Sequence, residues 1–539
     1  MTAMTKETIK TILGEMPFTA ELYWLFRQRG KPLKSRFSLK NLQENLPEMV
    51  SQALAMRETA PKGKKVFVFA TLHYWIEHAA TLGITLAGQG HDVTFGFVPH
   101  SDWQKPINRF DLRRQNAYAR KVLELAHPVM KTISFMNVRT SSRSLPAKIL
   151  EDVRQVSDFD TQYTLQVEEA DPESEIYQIR YERNLEAAQI GYAVLRHINP
   201  DVVIVPNGTI MELGVIYRLA KQMGIQVVTY EFGDQRQRIW LGQDREIMRQ
   251  ETDDLWAVRS EEPLSEAQLS KVREMFAARQ RADLWQNFSR LWQDTPTQGG
   301  EKVRAELGLD QRPIALLATN VLGDSLTLGR QVFSQSMSKW ISRTVQYFIG
   351  RPDVQLVIRV HPGEMLIHGQ SMVDVVKCLS PELPEHIHLI GPEEKINTYD
   401  LIEVADLGLV YTTTVGLEMA MSGLPVIVAG QTHYRDRGFT HDPDSWVNYF
   451  KLVGKILREP KANLLTREQV EKAWAYAYRF FFEFPRPFPW HLVRMWEDYE
   501  KHSVADVLST TGIEEYGQTL SYLVGEPLDW ANIKEVDEE

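Results

Sequence analysis

Cysteine is nearly missing. Cys378 is the sole one in 539 residues, which excludes an internal disulfide framework and a multi-cysteine metal site, and fits a reducing compartment. Long apolar runs are missing too. No stretch approaches the roughly 18 residues of a spanning helix, and the opening MTAMTKETIKTILGEM lacks the apolar core of a secretory signal. Both absences lead us to expect a cytoplasmic protein, at most peripheral to the inner face of a membrane. Basic charge is in deficit: 61 Lys and Arg face 71 Asp and Glu, a formal charge of −10, so nonspecific nucleic-acid binding is disfavoured. Short-period repeats are absent. Asp158-Phe-Asp160 has the spacing of an Asp-x-Asp metal motif, but its surroundings, RQVSDFDTQY, lack the apolar strand such a motif should end. No metal and no cofactor is expected.

What is present is an α/β pattern, in a chain too long for one core. Val66–Ala70 reads as a buried strand, Thr71–Trp75 as a loop, Ile76–Gln89 as an amphipathic helix and Val93–Val98 as the next strand. Asp201–Pro206, Thr209–Met223 and Ile225–Tyr230 repeat this βαβ order. Residues 61–295 therefore read as one doubly wound, Rossmann-like domain. Asn287–Arg312, with its DTPTQGG, reads as the linker region. A second such domain, 296–460, takes strands from Pro313–Thr319, Val354–Val360, His388–Ile390, Leu407–Tyr411 and Pro425–Val428. Residues 1–60 form a helical extension, and 100–175 are mostly helical. The helical tail, 461–539, is expected to pack back on the first domain. Its aromatic stretch AWAYAYRFFFEFPRPFPW suits core, a docking surface or a membrane-facing patch.

Two strand ends carry the chemistry. In LVIRVHPGE (356–364) a buried strand turns abruptly polar, placing a guanidinium, Arg359, and an imidazole, His361, at the carboxyl edge of the sheet. After the strand Leu407–Tyr411 come Thr412, Thr413 and Thr414, whose hydroxyls suit the start of the helix Val415–Met421. A hydroxylated turn between a parallel strand and a helix is a phosphate site by construction.

These stretches, RVHPGE, the spaced DLIEVAD, and TTTVGLEMAMSGLPVIVAG followed by HYRDRG, resemble the bacterial capsule polysaccharide biosynthesis proteins. That group of GT-B-type glycosyltransferases includes Kdo transferases. The resemblance is strongest over about 313–440. It implies two facing domains, with a nucleotide-sugar donor in the second and a glycan or lipid-linked acceptor in the first, and transfer without bound metal. By similarity His361 and Thr412–Thr414 hold the donor phosphate and Glu418 the ribose, while Arg359, Asn320 and Ser325 add donors toward the leaving group. An inverting transfer needs a base, for which the first domain offers His73, Glu77 and His78 after its first strand, and Glu212 and Glu231 after later ones. We expect His73 or Glu77, with Glu231 as runner-up. A glycerophosphotransferase, a UDP-sugar 2-epimerase, or an inactive scaffold binding glycan or partner proteins are the competing readings.

Overall fold

The computed structural model describes residues 6–31, 37–102, 104–139, 145–286, 288, 295–366 and 369–533. Six strands come first: β1 (Lys65–Thr71), β2 (Asp92–Val98), β3 (Lys131–Ser134), β4 (Val202–Pro206), β5 (Gln226–Glu231) and β6 (Arg238–Gln243). Five follow: β7 (Ile314–Ala318), β8 (Gln355–Arg359), β9 (Ile387–Ile390), β10 (Leu407–Val410) and β11 (Val426–Val428). A two-residue β12 (Arg486–Pro487) comes last.

They form two separate sheets. One runs β12-β6-β5-β4-β1-β2-β3 and the other β11-β10-β7-β8-β9. The second sheet is parallel throughout. The first is parallel from β3 to β5, and β6 and β12 join it antiparallel. Counted from its own first strand, each parallel set has the order 3-2-1-4-5, so each reverses its winding between its first and fourth strands. That crevice, at the carboxyl ends, is where doubly wound sheets bind ligands.

Sequence and packing agree at the centre of each sheet. Val66–Ala70, Val202–Pro206, Leu356–Arg359 and Leu407–Val410 are buried throughout, as helices on both faces require. Each fully buried Phe or Leu there contributes about 1.5–3 kcal/mol over its exposed state. The helix after β1 begins at His73, two residues into the expected loop, because Leu72 turns the chain at φ 63°. Fourteen of its sixteen residues are buried, since the helix Lys40–Arg57 and the tail cover the side away from the sheet.

Three strands have no counterpart in the sequence reading. β3 is a four-residue edge strand inside the stretch read as helical, and β6 and β12 are short antiparallel additions. Pro487 fits β12 because an edge strand tolerates a missing donor. From β12 onward, through Phe488, Trp490, Tyr499, Val507 and Leu520, the tail joins the core of the first sheet, while its earlier part, with Ala473, Tyr476, Phe480 and Phe484, packs into the core of the second. Its aromatic stretch is mostly interior: Tyr476, Phe480, Phe484, Phe488 and Trp490 are all buried. The expected linker region falls partly on residues 287 and 289–294, outside the described residues; Gly300–Glu306 within it is a helix.

Candidate active site

The two carboxyl edges meet. The loop after β7 lies against the end of the helix Ala147–Leu165, so close that a Cβ on Gly323 would come within 2.9 Å of Gln166 Cα. Glu168 reaches across and accepts the backbone N–H groups of Met337 (2.7 Å) and Ser338 (3.0 Å). Between the edges is a cavity of about 710 Å³, within the size range of small-ligand sites. Asn320, Arg359, His361 and Thr412–Thr414 line it from the second domain. Gln166, Asp234, Gln235 and Trp240 line it from the first.

On the second-domain side the crevice is bridged: Asn320 Oδ1, after β7, accepts from Thr412 N–H, after β10, at 3.1 Å. Thr412 Oγ1 is buried and has no hydrogen-bond partner among the described residues. A hydroxyl in that condition is costly unless a ligand completes it. Thr413 Oγ1 accepts from Val415 N–H at 3.4 Å, and its carbonyl accepts from Tyr434 Oη at 2.5 Å. Thr414 sits at the N-cap of the helix Val415–Met421 without a side-chain cap bond. That helix is seven residues long, so its dipole adds little and the hydroxyls matter more. His361 is exposed. Its Nδ1 accepts from Gly363 N–H at 2.9 Å, which assigns the hydrogen of the neutral ring to Nε2 and makes that atom a donor.

The other expected donor-site residues are placed differently. Arg359 lines the cavity, but Nη1 donates to Gly391 O (2.6 Å) and Nη2 to Glu394 O (3.2 Å). A guanidinium this buried needs such partners, so its charge reaches the site while its fork braces the loop after β9. Glu418 also lines the wall, in an ion pair with Arg279 Nη1 at 2.6 Å. Burial pushes its carboxyl up, against the pull of Arg279 and Tyr399. Ser325 is half-buried, and the cavity takes its neighbours Asp324 and Leu326 instead.

The first domain's own crevice lies between β1 and β4. Asn207, at the end of β4, donates Nδ2–H to Glu231 Oε2 at 3.1 Å, and Phe232 N–H donates to Oε1 at 3.0 Å. Burial pushes the Glu231 carboxyl up to about 7, its two donors only partly offsetting this. The phenols of Tyr74 and Tyr163 feel its charge, and Tyr163 also feels that of Asp324 from the opposite domain. Three residues beyond Glu231, Asp234 reaches the cavity wall.

The remaining base candidates lie elsewhere. His73 opens its helix half-buried, its ring against Phe37 and Tyr74, and burial lowers its pKa. Glu77 is buried beneath the N-terminal helices and the tail, accepting from Leu42 N–H (3.3 Å) and Trp496 Nε1–H (3.1 Å). Neither lines the cavity, and Glu231 is outside its lining as well, though Asp234 three residues on is in it. His78 is enclosed between Tyr230 Oη and the Trp490 carbonyl, both at 3.3 Å. Glu212 lies 2.9 Å from the buried His100 and 3.5 Å from Arg180, and against the effect of burial the Arg180 guanidinium, with lesser help from His100 and Arg183, holds it well below the usual carboxylate range. Asp160 of the Asp-x-Asp pair lies inside a helix, tied to Arg180 at 3.1 Å and Asn184 at 2.8 Å. Among the described residues no group of three or more His, Cys, Asp and Glu could hold a metal ion.

Sequence reasoning missed the supports. Arg279, 139 residues from Glu418, has no local signal. HYRDRG was visible as a motif, yet its work is long-range. His433 stacks on Phe480 with centroids 3.8 Å apart, Tyr434 fixes Thr413, and Arg437 meets Asp253 at 2.6 Å. Arg330 ties the loop after β7 to the carbonyls of Met248, Arg249 and Gln431.

Two doubly wound domains presenting their carboxyl edges to one polar cavity define a GT-B-like protein. The model of the capsule polysaccharide biosynthesis proteins matches residues 247–470, the second domain with the segment leading into it. No curated protein matches the chain. Among solved structures it is similar to a β-Kdo 2,4-transferase, KpsC of Thermosulfurimonas dismutans, with 14% identity over 54% of this chain and 82% of that one, TM-score 0.34. A putative UDP-N-acetylglucosamine 2-epimerase of Listeria monocytogenes is similar at 14% identity over 77% and 91%, TM-score 0.26. MurG of Acinetobacter baumannii is similar at 13% identity over 81% and 100%, TM-score 0.26.

Proposed function

We propose that this protein is a glycosyltransferase of surface polysaccharide assembly, moving a sugar from a nucleotide-sugar donor to a glycan or lipid-linked acceptor hydroxyl. One observation carries the reading: one edge of the cavity gathers the phosphate-type donors Thr412 and His361, and on the opposite domain the carboxyl of Glu231, outside the lining itself, stands three residues before Asp234 of the wall. In this reading the donor phosphate takes the Thr412 hydroxyl and the Nε2–H of His361, in a wall made electropositive by Arg359 and Arg330. Glu231 removes the acceptor proton as the acceptor oxygen bonds to the anomeric carbon. The bond from that carbon to the phosphate oxygen breaks, and the nucleotide leaves with the negative charge. A carboxyl near 7 suits a base working at neutral pH.

A thermal-shift panel of CMP, CDP, UDP and GDP with their sugars tests this. A nucleotide at a hundred times its dissociation constant stabilises the fold by about 2.7 kcal/mol. No shift with any of them overturns the donor site. Conversion of a sugar nucleotide with no acceptor present, followed by NMR, moves the reading to an epimerase.

A further inference from the structure

The N-terminal helices Lys6–Glu15 and Thr19–Phe26 are inverted relative to an ordinary surface helix. Both pack on the helix Arg109–Leu123, and much of what faces it is polar. Lys10 meets Asp111 at 2.7 Å and Arg109 meets Glu15 at 2.6 Å. Arg113 pairs with Glu21 at 2.5 Å and donates to the carbonyls of Gly14 (2.9 Å) and Met16 (2.7 Å), clamping the turn between the two helices. Gly14 has no room for a side chain, since a Cβ would come within 2.9 Å of Phe110 N. Trp24 turns inward and donates to Lys31 O at 3.1 Å.

The outward side is apolar. Eight of the 22 exposed large hydrophobic residues among those described lie within residues 9–26, led by Phe18 and Phe26 at 71% exposure each. Ile9, Ile12 and Met16 follow one helical stripe, and Leu22, Leu25 and Phe26 another. Such a concentration on a water-exposed face marks an interaction surface. Charge indicates the partner. Residues 6–31 hold five basic against three acidic side chains in a chain of net −10. Glu15 is paired with Arg109 at the surface and Glu21 with Arg113, so both carboxylates are already matched. Arg27, Arg29 and Lys31 close the segment exposed, with no ion pair among the described residues.

We infer that this helical pair is a membrane-docking element that lays its apolar face into the surface of an anionic lipid bilayer. Paired helices with large apolar side chains outward and basic residues at the rim bind in the interfacial plane. Arg27, Arg29 and Lys31 add attraction to acidic headgroups. The inference is independent of the catalytic reading, since it uses none of the cavity residues.

The test is flotation of the full chain with phosphatidylcholine vesicles, plain or with about 30 mol% phosphatidylglycerol. The protein floats with the anionic vesicles, and less so when salt is raised to about 0.5 M. Phe18→Ser, Leu22→Ser and Phe26→Ser together lower partitioning at least about tenfold; circular dichroism and any nucleotide-induced thermal shift stay as in the parent. Arg27→Glu, Arg29→Glu and Lys31→Glu remove the preference for anionic vesicles, by roughly fivefold per charge. A parent chain that stays in solution with anionic vesicles overturns the inference, as does equal flotation of the serine variant. So does a concentration-dependent dimer that the serine variant dissolves, with no flotation, because a second copy is then the occupant. The nucleotide shift, read in the same samples, reports on the cavity separately.

Discussion

The two crevices share a strand order and differ in chemistry. At the second, between β7 and β10, the strand ends present hydroxyls, an imidazole donor and guanidinium charge: Thr412, His361, Arg359. At the first, between β1 and β4, they present an amide, phenols and one carboxyl held near 7: Asn207, Tyr74, Glu231. The same backbone geometry thus serves opposite tasks. In the proposed reading one edge receives negative charge and the other takes up a proton. The winding only creates the opening; the side chains at the strand ends decide what enters it.

The largest effect that would break this contrast is at Glu231. Glu231→Gln should lower the transfer rate by about 10²–10⁴ and leave nucleotide binding intact, measured by turnover and thermal shift in parallel. In the parent chain the rate should rise with pH through about 7 as the carboxyl loses its proton. Normal turnover in Glu231→Gln would make the first crevice a mere packing site.

Glu77 sharpens the comparison because burial pushes it, too, up to about 7, yet it serves the core. Its folded pKa lies above its ordinary value, so its favourable contribution is full below about 4.5 and is lost as pH rises through about 7. By 1.36 kcal/mol per unit this amounts to about 3 kcal/mol. Glu77→Ala should lower stability by about 1–3 kcal/mol at pH 5, leaving Leu42 N–H and Trp496 Nε1–H unpaired. That deficit should shrink at pH 8, with turnover per folded molecule unchanged. Melting curves at the two pH values check it, and a loss of turnover without a loss of stability would return Glu77 to the chemistry.

Smaller effects belong to the phosphate edge. His361→Ala should weaken nucleotide binding about tenfold, the range of one hydrogen bond to a charged group, without moving the melting temperature, since the ring is exposed. Thr412→Val should act with two signs. Nucleotide binding weakens, while the ligand-free protein is unchanged or more stable by up to about 1 kcal/mol, because an unpartnered buried hydroxyl is gone. Denaturant midpoints with and without nucleotide read both signs.

Much of the fold was legible. The apolar runs at 66–70, 202–206, 356–359 and 407–410 mark interior parallel strands wherever they occur, and the helix Val415–Met421 lies where its turn and its Ser422-Gly423 stop place it. Four-residue β3 and two-residue β12 carry too little pattern to be read, and β6 exists only because β5 and β12 pair with it. Among site residues, Asn320, Arg359, His361, Thr412–Thr414 and Glu418 share one cavity, while Ser325, His73, Glu77 and Glu231 lie outside its lining. The helix after β1 starts at His73, and its second turn carries Glu77 under the tail rather than into the crevice.

The sequence by itself determined which segments are strands, that polar groups end them, and that they alternate with helices, because periodicity and strand-end chemistry are local. Only the tertiary structure decided which strand ends meet. Arg279 finds Glu418 across 139 residues, Arg359 is drawn to carbonyls of a neighbouring loop, and tail residues from 486 onward close the first sheet. Whether a buried carboxyl becomes a packing group or a proton acceptor depends on which donors and which solvent the assembled chain brings to it. Glu77 and Glu231 have the same side chain and the same upward shift. They differ in that Glu77 accepts from two N–H groups of distant helices, while Glu231 ends β5, three residues before Asp234 of the cavity wall.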